Sequence, residues 1–468
     1  MNKELINKLH TRINDMLEYE SDYYLTNMNL RPDVCKELLD YQVLHVLNLV
    51  TALSSNKVII DGSDTGTGKT YTSIALCKQM KLTPFIICPK TLIDHWKKIC
   101  EIFNVKPLTI TNYESIKNGK ICDASGNLIN SKYLRIDENY NDEYIFRWNL
   151  PTNVLLIFDE VHKCKNSKSI NGKLLLSAKN NKILMTSATI SDCPKSFHIF
   201  GYMLGFYNTL TKGRSWINGR LREDKNNCGM QKYSSINRAI YPLKGSRMRI
   251  AELGDKFPQN QISADCYYLE EDDTQIINKA FRTIKKTDTK MKSGSEVEGE
   301  KLLKYIMESR ILIEKKKIPI FKDLIDDYLE NNKSVVVLLN FKETIYELAS
   351  HYKYKCILTG DLSQNERSKN IEKFQNNEVN LIICSMQLQE GIGLHDLHGV
   401  QRVSLISPPF SSIVLQQALG RIYRAGLQTP ALQRIIFCGG TVEEIMCNQI
   451  REKLSFTSKL NDNDLILF

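Results

Sequence analysis

No apolar run in this chain reaches the ~18 residues that a membrane-crossing helix needs, so no membrane partner is expected. The first residues, Met1-Asn2-Lys3-Glu4-Leu5, lack the basic-then-apolar pattern of a secretory signal. The expected setting is inside a cell, in cytoplasm or nucleus. No Cys-x-x-Cys pair occurs among the 13 cysteines, and their odd number argues against a complete disulfide framework. Several, such as Cys88 and Cys384, lie in apolar runs as small core residues do. His395 and His398 stand three apart, but no Cys or acidic cluster completes a metal site around them. No repeat of solenoid length is visible. A strong charge of one sign is also missing: a net +10 permits a polyanionic partner without requiring one. A local cluster, Lys315-Lys316-Lys317, reads as a solvated helix face before it reads as a binding patch.

What is present is a chain of 468 residues, too long for one core, so two or three domains are expected. Short β-branched runs alternate with helix-like segments. In the first half they are Val58–Ile60, Phe85–Cys88, Leu108–Ile110, Val154–Phe158 and Ile183–Met185. In the second half they are Val335–Leu339, Cys356–Leu358, Leu381–Cys384, Val403–Ile406 and Ile435–Phe437. Near-continuous apolar runs of this length suit parallel strands buried on both faces, and their alternation with helices implies two α/β units. The expected organisation is an N-terminal helical appendage over 1–35, a first α/β lobe over 36–205, an insertion and helical linker over 206–330, a second lobe over 331–455 and a tail over 456–468. Within this frame 118–149 reads as a polar surface excursion, and 285–300 as a flexible loop. Leu302 to Tyr328 looks helical with an interruption at Pro319.

The chemistry is concentrated in four places. Ser63-Asp-Thr65-Gly66-Thr67-Gly68-Lys69-Thr70 follows the Val58–Ile60 run and precedes a helical stretch. A strand, a tight glycine loop and a helix N-terminus aim backbone N–H groups at phosphate. Lys69 would then reach the β/γ-phosphates of ATP and Thr70 would place its hydroxyl on Mg²⁺. Ser63 stands where the pattern usually has Gly. Second, the run Leu155–Phe158 ends on Asp159-Glu160, where Asp159 can serve the Mg²⁺ shell and Glu160 the attacking water. Third, Thr186-Ser187-Ala188-Thr189 offers small hydroxyls that can bridge the nucleotide site to a polymer site; a simple Ser/Thr turn remains the alternative. Fourth, Gln417, Arg421 and Arg424 share one face if their segment is helical, where the two arginines would act as arginine fingers on a triphosphate held by the other lobe.

Together these segments resemble superfamily 2 helicases and translocases, and more narrowly the Swi/Snf-type branch. Phe85-Ile86-Ile87-Cys88-Pro89-Lys90-Thr91-Leu92-Ile93-Asp94-His95-Trp96 is similar to that branch's motif Ia, and Ile110-Thr111-Asn112-Tyr113-Glu114 to its motif Ib. Asp159-Glu160-Val161-His162-Lys163-Cys164-Lys165-Asn166 matches its extended motif II. Arg247, Arg249 and Phe257-Pro258 resemble its inter-lobe stretch, and Ser385 with Gly391, Gly393 and Leu394 its motif V. Gly440-Thr441-Val442-Glu443-Glu444 is similar to the segment that closes its second lobe. Tyr41-Gln42 looks like an adenine-reading motif.

The resemblance implies an α/β fold of two RecA-like parallel-sheet lobes with a helical or irregular segment between them. It implies ATP and Mg²⁺ as cofactors, with Gln42, Gln417 and Gly391 added to the phosphate loop as nucleotide contacts. Nucleic acid, DNA in first place, is the implied partner, gripped at Pro89, Lys90, Thr111, Asn112, Gly360 and Ser385. Transcription or replication proteins are further expected partners. Departures from the branch are Val161 in place of Ala, the Thr186–Thr189 form, and Leu427 between Gly426 and Gln428. With the compact length, they suggest a divergent member similar to the small helicases and transcription ATPases of poxviruses and giant DNA viruses, for which the virion is a further location. The expected activity is ATP-driven movement along a strand. An RNA-directed helicase is the second reading, and a nucleotide-gated binding module with little turnover the third.

Overall fold

The computed structural model describes residues 30–122, 127–138, 144–188, 194–226, 234–253, 257–272, 307–388 and 392–441, with single positions from 274–277 and 443–448. Most of the expected 1–35 appendage, the 285–300 loop, Thr189, Gly391 and the 456–468 tail lie outside them.

The first lobe is one six-stranded parallel sheet. Its strands are β1 (Val58–Asp61), β2 (Thr83–Cys88), β3 (Thr109–Asn112), β8 (Val154–Asp159), β9 (Lys182–Thr186) and β10 (Gly245–Ser246). The strand order is β10-β1-β9-β8-β2-β3. Four shorter strands form two antiparallel hairpins between β3 and β8: β4 (Lys120–Cys122) with β5 (Leu128–Asn130), and β6 (Leu134–Glu138) with β7 (Tyr144–Trp148). The second lobe has β11 (Asn260–Tyr267), β12 (Ser334–Leu339), β13 (Cys356–Leu358), β14 (Leu381–Ser385), β15 (Arg402–Ile406) and β16 (Ala431–Cys438) in the order β11-β16-β15-β12-β14-β13, again all parallel.

Each sheet is buried on both faces because its central strands are predominantly apolar, and the period of two sends neighbours to opposite sides. Val58 and Ile60 join one core cluster, and Ile59 between them joins the other. Val336 and Leu338 face one layer of the second lobe while Val335, Val337 and Leu339 face its opposite. Helices cover the faces, among them Asp40–Ser55, Lys69–Met80 and Ile93–Ile102 in the first lobe, and Ile318–Glu330, Lys342–Ser350, Gln364–Gln375 and Ser412–Leu419 in the second. In such sheets the loops at the carboxyl ends of the strands build the site.

The stretch expected between the lobes is not separate from them. Residues 245–246 pair with β1 in the first sheet, and 260–267 form an edge strand on β16 in the second. The crossing between lobes therefore falls at about 247–259, far tighter than 206–330. The 118–149 excursion is also part of the fold: Ile121, Leu134 and Phe146 are buried in the first lobe's core, and Trp148 meets Phe85 edge-on at 5.8 Å. Pro319 opens the helix Ile318–Glu330 in its first turn, where a missing N–H costs nothing. Lys317 is not on a solvated face. It is fully buried, with its ammonium donating to Glu443, Ser407 Oγ and the Ile436 carbonyl. No helix among the described residues is long and apolar enough to cross a membrane.

Candidate nucleotide site between the lobes

Asp61 at the end of β1 organises the loop that follows. It is fully buried, accepts from Ser63 N at 3.0 Å, Ser63 Oγ at 2.5 Å and Thr72 Oγ1 at 3.2 Å, and sits 3.0 Å from His45 Nε2. Burial alone would raise its carboxyl; the adjacent His45 ring and the Ser63 hydroxyl outweigh this and hold it below its usual range. Ser63 Oγ also accepts from Met248 N at 2.9 Å. The Ser63 hydroxyl is thus committed beneath the loop, which corrects its expected place as a phosphate contact. Serine at this position replaces glycine in order to tie β1, the Asp40–Ser55 helix and the chain after β10 together.

Gly66 and Gly68 have φ of +88° and +93°, conformations that favour glycine. A Cβ on Gly68 would lie 2.3 Å from Gln42 Nε2. Gln42 is buried, donates from Nε2 to Thr67 O at 2.9 Å and accepts from Leu39 N at 2.9 Å. It braces the loop, and an amide nitrogen carries a second N–H for a base. Lys69 opens the helix Lys69–Met80, and its ammonium donates to the loop carbonyls of Ser63 and Asp64 at 2.9 and 3.0 Å. Thr70 follows in the first helical turn. Asp64 receives Arg247 Nη2 at 2.9 Å and Ile250 N at 3.0 Å, so the loop is also fastened to the chain that crosses to the second lobe.

Asp159 ends β8, beside β9. Its Oδ1 accepts from Thr186 Oγ1 at 2.8 Å and Glu160 N at 3.0 Å, its Oδ2 from the indole N–H of Trp96 at 2.9 Å, and its carbonyl from Tyr113 Oη at 2.7 Å. Glu160 is held in the left-handed region at φ 51° and ψ 49°, a strained backbone for a side-chain-bearing residue at a reactive position. Its carboxylate lies 3.2 Å from His162 Nδ1, which is in turn 3.3 Å from Ser187 Oγ. Burial, reinforced by the Glu160 carboxylate, pushes Asp159 up. Burial would raise Glu160 too, but the His162 hydrogen bond and the charges of Lys69 and Arg421 hold it down, in the ionised form that can orient water.

The second lobe closes over this loop. The helix Ser412–Leu419 ends at Gly420, so Arg421 and Arg424 lie in the turn beyond it and only Gln417 is helical, which corrects the single helical face expected for the three. The turn still delivers them. Arg424 Cγ is 2.9 Å from where a Cβ on Gly66 would be, and Ala425 N donates to Gly66 O at 3.3 Å. Arg424 is drawn down to about 10 by burial, against the attraction of Glu160. Arg421 donates to Ile392 O at 2.9 Å, and its charge acts on Glu160. Gln417 is buried, with Nε2 unsatisfied within the protein. Thr65 touches Gly420 across the cleft. A cradle of two positive-φ glycines, a lysine, a carboxylate pair and two guanidinium groups, with a buried amide awaiting an acceptor, fits a triphosphate with its divalent cation. Thr70 and Asp159 would hold that cation.

The expected polymer contacts are placed unevenly. Lys90 and Gly360 are exposed. Pro89, Thr111, Asn112 and Ser385 are buried, with Thr111 inside β3 and the Asn112 carboxamide capping a short helix through Ser115 N at 2.9 Å. The Thr111 hydroxyl therefore cannot reach a strand from its buried position, and backbone groups carry whatever contact this segment makes. His45, Asp61, Trp96, Tyr113 and His162 acquire their roles only here. Of these, Trp96, Tyr113 and His162 stand in the conspicuous motifs, whereas His45 and Asp61 carry no spacing signal.

Comparison with known proteins agrees with this geometry. Residues 36–192 match the family described as type III restriction enzyme, res subunit, and residues 316–426 the helicase conserved C-terminal domain. A protein of Acanthamoeba polyphaga mimivirus named as an ATP-dependent RNA helicase is 35% identical over 462 residues, covering 93% of this chain and 86% of its own. A DNA repair and recombination RAD54-like protein of Drosophila ananassae is 27% identical over 137 residues, covering 28% of this chain and 17% of its own. The solved structure of S. cerevisiae Dbp5 bound to RNA and ADP BeF3 shares the fold, with a TM-score of 0.50 at 13% identity over 94% of this chain and 93% of its own. With both sheets, the divided nucleotide site and a viral relative matched over most of both chains in agreement, the chain belongs to the superfamily 2 helicases, nucleic-acid-dependent ATPases built from two RecA-like lobes.

Proposed function

We propose that this chain hydrolyses ATP in the cleft between its lobes and uses the cycle to move along a nucleic-acid strand, DNA in first place. The observation that carries the reading is the meeting of Arg424 and Ala425 with Gly66: the second lobe lends guanidinium groups to a phosphate loop it does not contain. Lys69 and the backbone N–H groups of 66–70 bind the β/γ-phosphates. Mg²⁺, when bound by Thr70 and Asp159, neutralises charge on those oxygens. Glu160 orients the water and takes its proton, with its carboxylate steadied by His162. Arg421 and Arg424 stabilise the charge that develops on the transferred phosphoryl group. Loss of that group loosens the lobes, and the alternation of closed and open cleft shifts their grip on the strand.

DNA is favoured by the Swi/Snf-type form of the segments around Trp96 and Lys163–Asn166, and by the RAD54-like relatives. The mimivirus relative's name favours the second reading, an RNA-directed helicase. Contacts through Lys90, Gly360 and backbone groups carry little sequence information, so binding is to be sequence-tolerant and salt-sensitive. Steady-state ATP hydrolysis with duplex DNA, single-stranded DNA and RNA tests the proposal. Stimulation by DNA above RNA supports the first reading and the reverse order the second. Turnover indifferent to every polymer rejects both.

A further inference from the structure

Two residues of the first lobe connect the proposed polymer face to the carboxylate that serves the metal. Trp96 lies in the helix Ile93–Ile102, which grows out of the Pro89–Leu92 turn that carries the exposed Lys90. Its ring is 1% exposed and its N–H donates to Asp159 Oδ2 at 2.9 Å. Tyr113 follows Asn112 directly, heads the short helix at the end of β3, and donates from Oη to the Asp159 carbonyl at 2.7 Å. The two proposed strand contacts of this lobe, at 89–90 and 111–112, thus end on two different atoms of one residue.

The stereochemistry gives this connection content. A carboxylate offers about four lone-pair positions. Oδ1 of Asp159 is filled by Thr186 Oγ1 and Glu160 N, and one position on Oδ2 is filled by Trp96. A single position on Oδ2 is left, and the indole N–H decides where it points. A shift of the Lys90–Leu92 turn moves the helix that carries Trp96. A shift of Asn112 moves Tyr113 and the backbone at Asp159. Neither side chain is placed to touch phosphate or water, so these are positioning residues.

We infer that Trp96 and Tyr113 form the link through which an occupied strand groove aligns Asp159 and raises ATP turnover. The inference rests on the reading of 89–90 and 111–112 as strand contacts. It makes polymer stimulation, and not nucleotide binding, the property that these two hydrogen bonds control.

The test is Trp96→Phe, which keeps a buried aromatic ring and removes the donor together with the fused pyrrole ring, with Tyr113→Phe, which removes only the hydroxyl, beside it. The measured quantities are ATP turnover with and without saturating polymer, polymer Kd, and Tm as a check on folding. The ratio of stimulated to unstimulated turnover is expected to fall about tenfold in each variant, the cost of one hydrogen bond to a charged or polarised group in the transition state. Polymer Kd is expected to stay at the wild-type value. The double variant is to lose less than the product of the single losses, because both act on Asp159. A fall in both turnover numbers that leaves their ratio intact overturns the inference, since a merely structural role has that effect. An unchanged ratio with unchanged turnover overturns it as well. Wild-type turnover that no polymer stimulates would instead remove the functional reading on which the inference rests.

Discussion

A methyl group added at Gly420 would land 2.4 Å from Cγ2 and 2.8 Å from Cβ of Thr65, across the cleft in the phosphate loop. Ordinary contact begins at 3.4 Å, so the Thr65 side chain must turn and the lobes part there, by up to 3.4 − 2.4 = 1.0 Å. The backbone at Gly420, with φ −77° and ψ 5°, accepts alanine without strain, so the second lobe should fold as before. The separation instead displaces Arg421 and Arg424, which lie in the turn just after Gly420. A misplacement of about 1 Å in groups that position a reaction can cost about a hundredfold in rate. Gly420→Ala is therefore expected to lower kcat for ATP by roughly two orders of magnitude, with Tm unchanged. Trimming the facing residue should restore turnover stepwise. Thr65→Ser removes the 2.4 Å contact and leaves the 2.8 Å one, and Thr65→Gly removes both. Steady-state hydrolysis by the single and the two double variants, with nucleotide affinity measured in parallel, reads this directly. Full turnover by Gly420→Ala would refute the claim that catalysis needs the lobes as close as Gly420 and Thr65 stand here.

Other outcomes follow from the same geometry. Glu160→Gln keeps the shape and loses the base, so hydrolysis is expected to fall at least about a hundredfold while nucleotide binding persists, measured by single-turnover kinetics and binding titration. Asp61→Asn leaves a buried network without its charge and should destabilise the first lobe by about 3–5 kcal/mol in urea unfolding. Because the folded Asp61 carboxyl is held below its ordinary 3.8, its contribution is present above that value and is lost as pH falls through the folded one. The stability gap between wild type and Asp61→Asn should therefore narrow in acid, and a gap that widens would contradict the assignment.

The ten strand runs legible in the sequence comprise the eight internal strands and two edge strands, β3 and β13; strands buried on both faces must be apolar at successive positions. The other two edge strands escape that reading. β11, Asn-Gln-Ile-Ser-Ala-Asp-Cys-Tyr, has only half-buried and exposed positions, and β10 is only Gly-Ser, stitched to β1 by backbone bonds. Their membership of the two sheets narrows the inter-lobe crossing. The hairpins of 120–148 interleave polar and apolar residues and anchor through a few of them such as Leu134 and Phe146, a pattern too sparse for periodicity to expose. Within the site, local motifs name Lys69, Asp159 and Glu160 because their roles depend on neighbours in sequence. The roles of Ser63, Trp96 and Tyr113 depend on partners elsewhere in the chain, up to 185 positions away for Ser63 and Met248. Helical spacing puts the arginines on one face; Gly420 ends that helix first, and the turn beyond it performs the delivery.

The central claim is that one bound triphosphate is shared by two lobes, each supplying groups the other lacks. Single-turnover hydrolysis by Arg421→Gln and Arg424→Gln, with ATP affinity measured on the same samples, tests it most directly. The predicted result is ATP binding close to wild type with a hydrolysis step slowed by about a thousandfold or more, as for loss of an arginine finger. Hydrolysis at the wild-type rate in both variants would show that the second lobe contributes nothing to the chemistry and would contradict the account.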